Sequence, residues 1–153
     1  MRSEIQEAVI GIGTNVANRE AQIHAAMAAL EATKGIESVE LGPIIDTEPV
    51  VPEETAAAHP RFLNTVAVVG TTLSPEVLMS RLLAIEASFG RGRDGTVAPR
   101  TLDLDLLLLG DQRRDVPGLT LPHPRMWERP FVLEPLEALR PGLANRASRF
   151  QGR

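Results

Sequence analysis

FLNTVAVVGTTLSPEVLMSRLLAIEASFG, residues 62–90, joins an apolar run to an amphipathic segment with a marked start and stop. The run at residues 62–71 predicts a strand. A helix is expected next: Ser74 offers an N-cap, Pro75 suits the first helical position and Glu76 the first turn. Leu78, Leu82, Ile85 and Phe89 then trace one face up to Gly90. Strand followed by helix is the unit from which the rest can be placed.

Upstream, residues 8–12 are apolar and run into Gly13-Thr14-Asn15, which predicts a buried strand ending in a turn. Asn18 can cap a second helix, with Glu20 in its first turn, Ile23, Met27 and Leu30 at i, i+4 and i+7, and Gly35 as its stop. Residues 39–45 predict another strand, and residues 48–60, with three prolines, a long loop of the kind that often carries function. Downstream, residues 91–99 are polar and glycine-containing, hence a loop. Residues 101–109 form an apolar strand interrupted by Asp103 and Asp105 and ended by Gly110. A turn-rich stretch passes through Pro117-Gly118, and residues 124–139 are partly helical, with Pro130 and Pro135 limiting continuity. The order β-α-β-β-α-β predicts an α+β, ferredoxin-like core: a mainly antiparallel sheet flanked by helices, those of the core on one face. One domain over residues 1–153 is expected.

Composition narrows the function classes. Without cysteine there is no disulfide, no thiolate-bound zinc or iron–sulfur centre and no thiol nucleophile. A formal net charge of −4 argues against nonspecific nucleic-acid binding. No apolar run approaches the roughly 20 residues that span a bilayer, and the start MRSEIQE does not suit a signal peptide, so a soluble cytoplasmic protein without membrane contact is expected. A monomer is expected as well. Lys34 is the only lysine; Arg91, Arg93 and Arg100 cluster just before the two aspartates. Arginine forks bind phosphate oxygens bidentately.

Side chains alternate along a strand, so Asp103 and Asp105 share a face while Leu102, Leu104, Leu106 and Leu108 take the other. Two carboxylates on so apolar a strand need compensating cations. Mg²⁺ suits them, since it favours one or two carboxylates plus waters and substrate phosphates; pairing with nearby arginines or a solvated face is the alternative. Phe62 and Asn64 likewise share a face, where a ring could stack on a flat heterocycle and an amide could address its edge; a core Phe beside a strand-end Asn is the plainer reading. His123, between two prolines, suits a phosphate contact or simply a rigid turn. GIGTNV lacks the third glycine of a dinucleotide fingerprint, and no P-loop or HExxH motif occurs.

Four blocks, IGTN, FLNTVAV, APRTLDLDLL and LPHPRMWERPFVLEPL, in this order, resemble the 6-hydroxymethyl-7,8-dihydropterin pyrophosphokinase family, whose members move pyrophosphate from ATP to a pterin alcohol and release AMP in folate biosynthesis. The resemblance implies that Asp103 and Asp105 hold two Mg²⁺ ions on ATP. It implies that Thr47, Phe62, Asn64 and Phe131 form the pterin pocket, with the ring between two aromatics. Arg91, Arg93, Arg100, His123 and Arg129 would surround the phosphates, Arg91 and Arg100 joining the aspartates in catalysis, and Glu86 would stand near the nucleotide. The chain departs from the family where residues 96–98 replace a further arginine and a tryptophan, and where Ile45 stands in place of a common aromatic. Another Mg²⁺-dependent phosphoryl or nucleotidyl transferase, or a non-catalytic pterin or nucleotide binder, are the competing readings.

Overall fold

A computed structural model describes residues 4–14, 19–47, 62–89 and 102–151 of the chain. The first apolar run forms β1 (Gln6–Thr14), followed by α1 (Arg19–Glu31), β2 (Ile36–Leu41), β3 (Ile45–Thr47) and β4 (Phe62–Thr71). Then come α2 (Pro75–Phe89), β5 (Asp103–Leu109), the hairpin β6 (Arg114–Val116) and β7 (Leu119–Leu121), a 3₁₀ turn (Met126–Glu128), α3 (Pro130–Leu139) and α4 (Leu143–Gln151). Among the described residues, the main sheet has the order β2-β4-β1-β5, with β3 also on β4, and every pairing is antiparallel. With β2, β4, β1 and β5 as its strands, this is the ferredoxin-like arrangement that the element order predicts.

The two core helices cover one face. Ile23, Ala26 and Leu30 of α1 and Leu78, Leu82 and Ile85 of α2 pack on Ala8, Ile10, Ile12, Ala67, Val69, Leu104 and Leu106. Burying each such leucine or isoleucine contributes about 1.5–3 kcal/mol. At the start of α2 the Val77 N–H donates to Ser74 Oγ at 3.2 Å, so the cap expected from the sequence forms.

The opposite face carries a second cluster. Val132 and Leu136 of α3, Ala147 of α4 and Met126 pack on Val9, Val66, Val68, Leu107 and Leu108. Pro130 starts α3 and its missing N–H costs nothing there, while Pro135 is accommodated inside the helix. The helix α4 and the β6–β7 hairpin are additions to the sequence reading. The hairpin turns at Pro117-Gly118, where Gly118 has φ +82°, the positive value a type II turn needs at its third position.

Two further expectations are corrected. The strand expected at residues 39–45 is two strands: Pro43 has no N–H for the ladder, and Gly42 sits so close to Pro135 that an added Cβ would lie 3.2 Å from it. Leu108 does not share the face of Leu104 and Leu106. The pairing slips between Ile10↔Leu106 and Val9↔Leu108, and this bulge inserts one residue and reverses the alternation, which sends Leu108 to the second cluster. The loops at 48–60 and 91–99, with the caps Asn18 and Gly90, lie outside the described residues.

Candidate active site

Among the described residues, the second cluster covers only part of its face. Beyond Val9, β1 presents Gly11 and Gly13 on that side, where Gly13 is registered with Asn64 on β4 and Asp103 on β5, and Gly11 with Val66 and Asp105. Residues directly opposite in a sheet point the same way. Phe62 and Asn64 therefore stand on one bank of a trough and Asp103 and Asp105 on the other, with two residues lacking side chains as its floor. Two strand spacings set the banks about 10 Å apart, and the aspartate Cα atoms lie about 7 Å from each other.

Gly13 matters through space. A Cβ there would come 2.9 Å from Asn64 Oδ1, so the amide, only 8% exposed as a residue, lies over the glycine. In IGIGTN, which lacks a dinucleotide fingerprint and contributes one of the four family blocks, the informative signal is two glycines with the period of a strand beside a strand bearing two aspartates. Thr47 pairs through its backbone with Phe62, and Ile45 with Asn64, which puts β3 along the aromatic bank.

The segment after β7 closes the aspartate side. The His123 N–H donates to the Leu107 carbonyl at 2.9 Å, and the Arg125 N–H donates to His123 Nδ1 at 3.2 Å. That bond makes Nδ1 an acceptor and leaves the proton of the neutral ring on Nε2. Burial pushes the His123 pKa down; the Asp105 charge works against this, and Arg129 and Arg125 reinforce it. Arg129, the residue before α3, places Nη1 3.5 Å from Asp105 Oδ2 and its guanidinium carbon 5.9 Å from the centre of the Phe131 ring. Phe131, in the first turn of α3, is half-buried against the second cluster.

Glu86 enters from the other side of β5. Near the end of α2, its Oε2 accepts the Leu104 N–H at 2.7 Å, on the residue between the two aspartates. Ladder bonds alternate, so an N–H facing α2 faces away from β1, and Asp103 and Asp105 turn their own backbone groups toward Gly13 and Gly11. The fold thus brings together Phe62, Asn64, Asp103, Asp105, Glu86, His123, Arg129 and Phe131. Arg91, Arg93 and Arg100 lie outside the described residues.

Among the described residues no three His, Asp or Glu side chains gather as a protein-only metal cage. Two carboxylates with an open trough beside them fit an ion that keeps waters and takes its remaining ligands from a substrate phosphate, as Mg²⁺ does. A carboxylate pair across the sheet from a ring and an amide is an arrangement suited to phosphoryl transfer onto a flat heterocycle.

A family model described as 7,8-dihydro-6-hydroxymethylpterin-pyrophosphokinase (HPPK) matches residues 9–141. The 2-amino-4-hydroxy-6-hydroxymethyldihydropteridine pyrophosphokinase of Pseudomonas aeruginosa is 43% identical over 91% of this chain and 83% of its own length. Its namesake from Bacillus subtilis is 37% identical over 84% and 75%. The chain belongs to this family of ATP-dependent pyrophosphokinases. It also aligns with 26% of a longer Arabidopsis thaliana chain named folate synthesis bifunctional protein, at 39% identity. The solved structure titled Plasmodium falciparum HPPK-DHPS wild type superposes with a TM-score of 0.51 at 13% identity, over 74% of this chain and 31% of that one, a likeness of fold.

Proposed function

We propose that the trough is where the family's reaction takes place in this chain, within one domain over residues 1–153: pyrophosphate passes from ATP to the hydroxymethyl group of 6-hydroxymethyl-7,8-dihydropterin, and AMP leaves. The observation that carries this reading is the register Asn64–Gly13–Asp103, which sets Phe62 and Asn64 on one face with the carboxylate pair and puts glycine on the strand between them. Phe62 and Phe131 enclose the pterin ring, Asn64 addresses its edge through its amide, and Thr47 completes the pocket from β3.

Asp103 and Asp105 would hold Mg²⁺, two ions with ATP bound. Bound there, the metal would neutralise phosphate charge and polarise the transferring group. Arg91, Arg93, Arg100 and Arg129, together with the Nε2–H of His123, supply donors to the remaining phosphate oxygens, and Glu86 holds the strand that presents the aspartates. No covalent intermediate is needed. The hydroxymethyl oxygen attacks the β-phosphorus in line, the bond to the α-phosphate oxygen breaks, AMP carries that oxygen away and the hydroxyl proton is lost to solvent.

Purified protein with ATP, Mg²⁺ and the pterin is expected to form AMP and the pterin pyrophosphate in equal amounts, measured by chromatography. AMP no higher than in the pterin-free control, with ATP still bound, would make this a binding module instead.

A further inference from the structure

Arg129 meets two groups at once. Its backbone is extended just before α3, and its guanidinium lies between Asp105 Oδ2, 3.5 Å away, and the Phe131 ring, 5.9 Å from the guanidinium carbon. The Arg129 and Asp105 side chains are 25% and 43% exposed, so the pair sits at the rim of the trough, open to exchange rather than locked in the core. A divalent cation on the same carboxylate would stand within a few ångströms of a guanidinium that never loses its charge. Each positive charge on that carboxylate weakens the hold of the other.

We infer that Arg129 is the standing counter-ion of Asp105, displaced when a divalent cation arrives, and that this exchange ties cation loading to the nucleotide, whose phosphates offer the displaced guanidinium a new anionic partner. The inference rests on the reading of Asp105 as a metal ligand and goes beyond it by giving Arg129 opposite effects on the two halves of a metal–nucleotide complex. Arg129 opposes bare cation and favours phosphate. The Phe131 face keeps the guanidinium near the trough when it leaves Asp105, a contact that suits an arginine better than a lysine.

Mn²⁺ binding to the full chain, followed by the loss of its free paramagnetic resonance signal, separates the possibilities. Without nucleotide, Arg129→Gln is expected to bind Mn²⁺ more tightly than the unaltered chain, on the order of tenfold for removal of one nearby positive charge. Arg129→Lys, which keeps the charge, is expected to stay within about twofold. With a nonhydrolysable ATP analogue the order reverses for the nucleotide, which Arg129→Gln binds more weakly. If Mn²⁺ affinity in Arg129→Gln is unchanged or lower, or if Arg129→Lys tightens binding as much as Arg129→Gln, the counter-ion role is overturned. Asp105→Asn is the control for the underlying reading: loss of Mn²⁺ binding keeps it standing whatever Arg129 does, and undiminished binding removes the metal site and the inference together.

Discussion

The two faces of the sheet, compared along β1, show how one strand serves two purposes. On the α1/α2 face its residues are Ala8, Ile10 and Ile12, all fully packed against helices. On the other face they are Val9, Gly11 and Gly13: the first lies under the second cluster, and the next two carry no side chain, so Leu107 and Asn64 of the flanking strands can lean over them. The closed face supplies the cohesion, and the open end of the other supplies a rigid floor. Side chains with polar ends can then be held over glycine backbone without filling the core.

Breaking the open end should abolish chemistry and spare the fold. Asp105→Ala is expected to lower the rate of AMP formation by a factor of a thousand or more, corresponding to several kcal/mol of lost transition-state stabilisation, with an unchanged circular dichroism spectrum. Activity that survives this change would take the carboxylates out of the mechanism. Breaking the closed face should do the reverse. Leu82→Ala, at a fully buried position, is expected to cost about 2–5 kcal/mol in urea unfolding while activity per folded molecule is kept.

Gly13→Ala probes the boundary between the faces. Its added methyl would meet Asn64 Oδ1 and push the amide from its place, so the KM for pterin should rise on the order of tenfold, the loss of about one well-placed hydrogen bond, with ATP binding less affected. Equal losses for both substrates would argue that the floor, not the amide, was disturbed.

Two smaller effects concern charge. Arg140, after α3, donates to Glu7 on β1 at 2.7 Å and to Glu40 on β2 at 2.6 Å, tying the helix to the sheet away from the trough. Hydrogen bonding to Arg140 holds both carboxyls below their usual range. Their contribution to stability is therefore present above the unfolded carboxylate value and fades as pH falls through and below it. Arg140→Met should lower the urea midpoint slightly at pH 7 and bring it level with the unaltered chain in acid. For His123 the folded pKa is depressed by burial, so near and below the usual histidine range the unfolded chain binds more protons, and stability falls as pH drops. His123→Gln should flatten that slope between about pH 7 and 5; an unchanged slope would mean that His123 does not titrate differently in the two states.

Patterns of period two and 3.6 made most of this molecule legible. The bounds of β4 and the capped, one-faced α2 follow from Phe62 to Phe89, and the placing of Asp103 and Asp105 on one side of a strand follows from their spacing. What escaped was decided by partners distant in the chain. Leu108 changes face because its pairing with β1 slips by one residue, and α4 closes over a surface that only α3 and the sheet create; the break at 42–44, by contrast, has a local signal in Pro43.

The sequence by itself determined the element order, the alternation that pairs the aspartates and the four blocks that mark the family, because these depend on neighbours within a few positions. Only the tertiary structure decided that Gly13 lies between Asn64 and Asp103, that Glu86 grips Leu104 and that Arg129 rests on Asp105. Register across strands and the reach of a side chain are set by packing among segments far apart in the chain, and no local pattern encodes them.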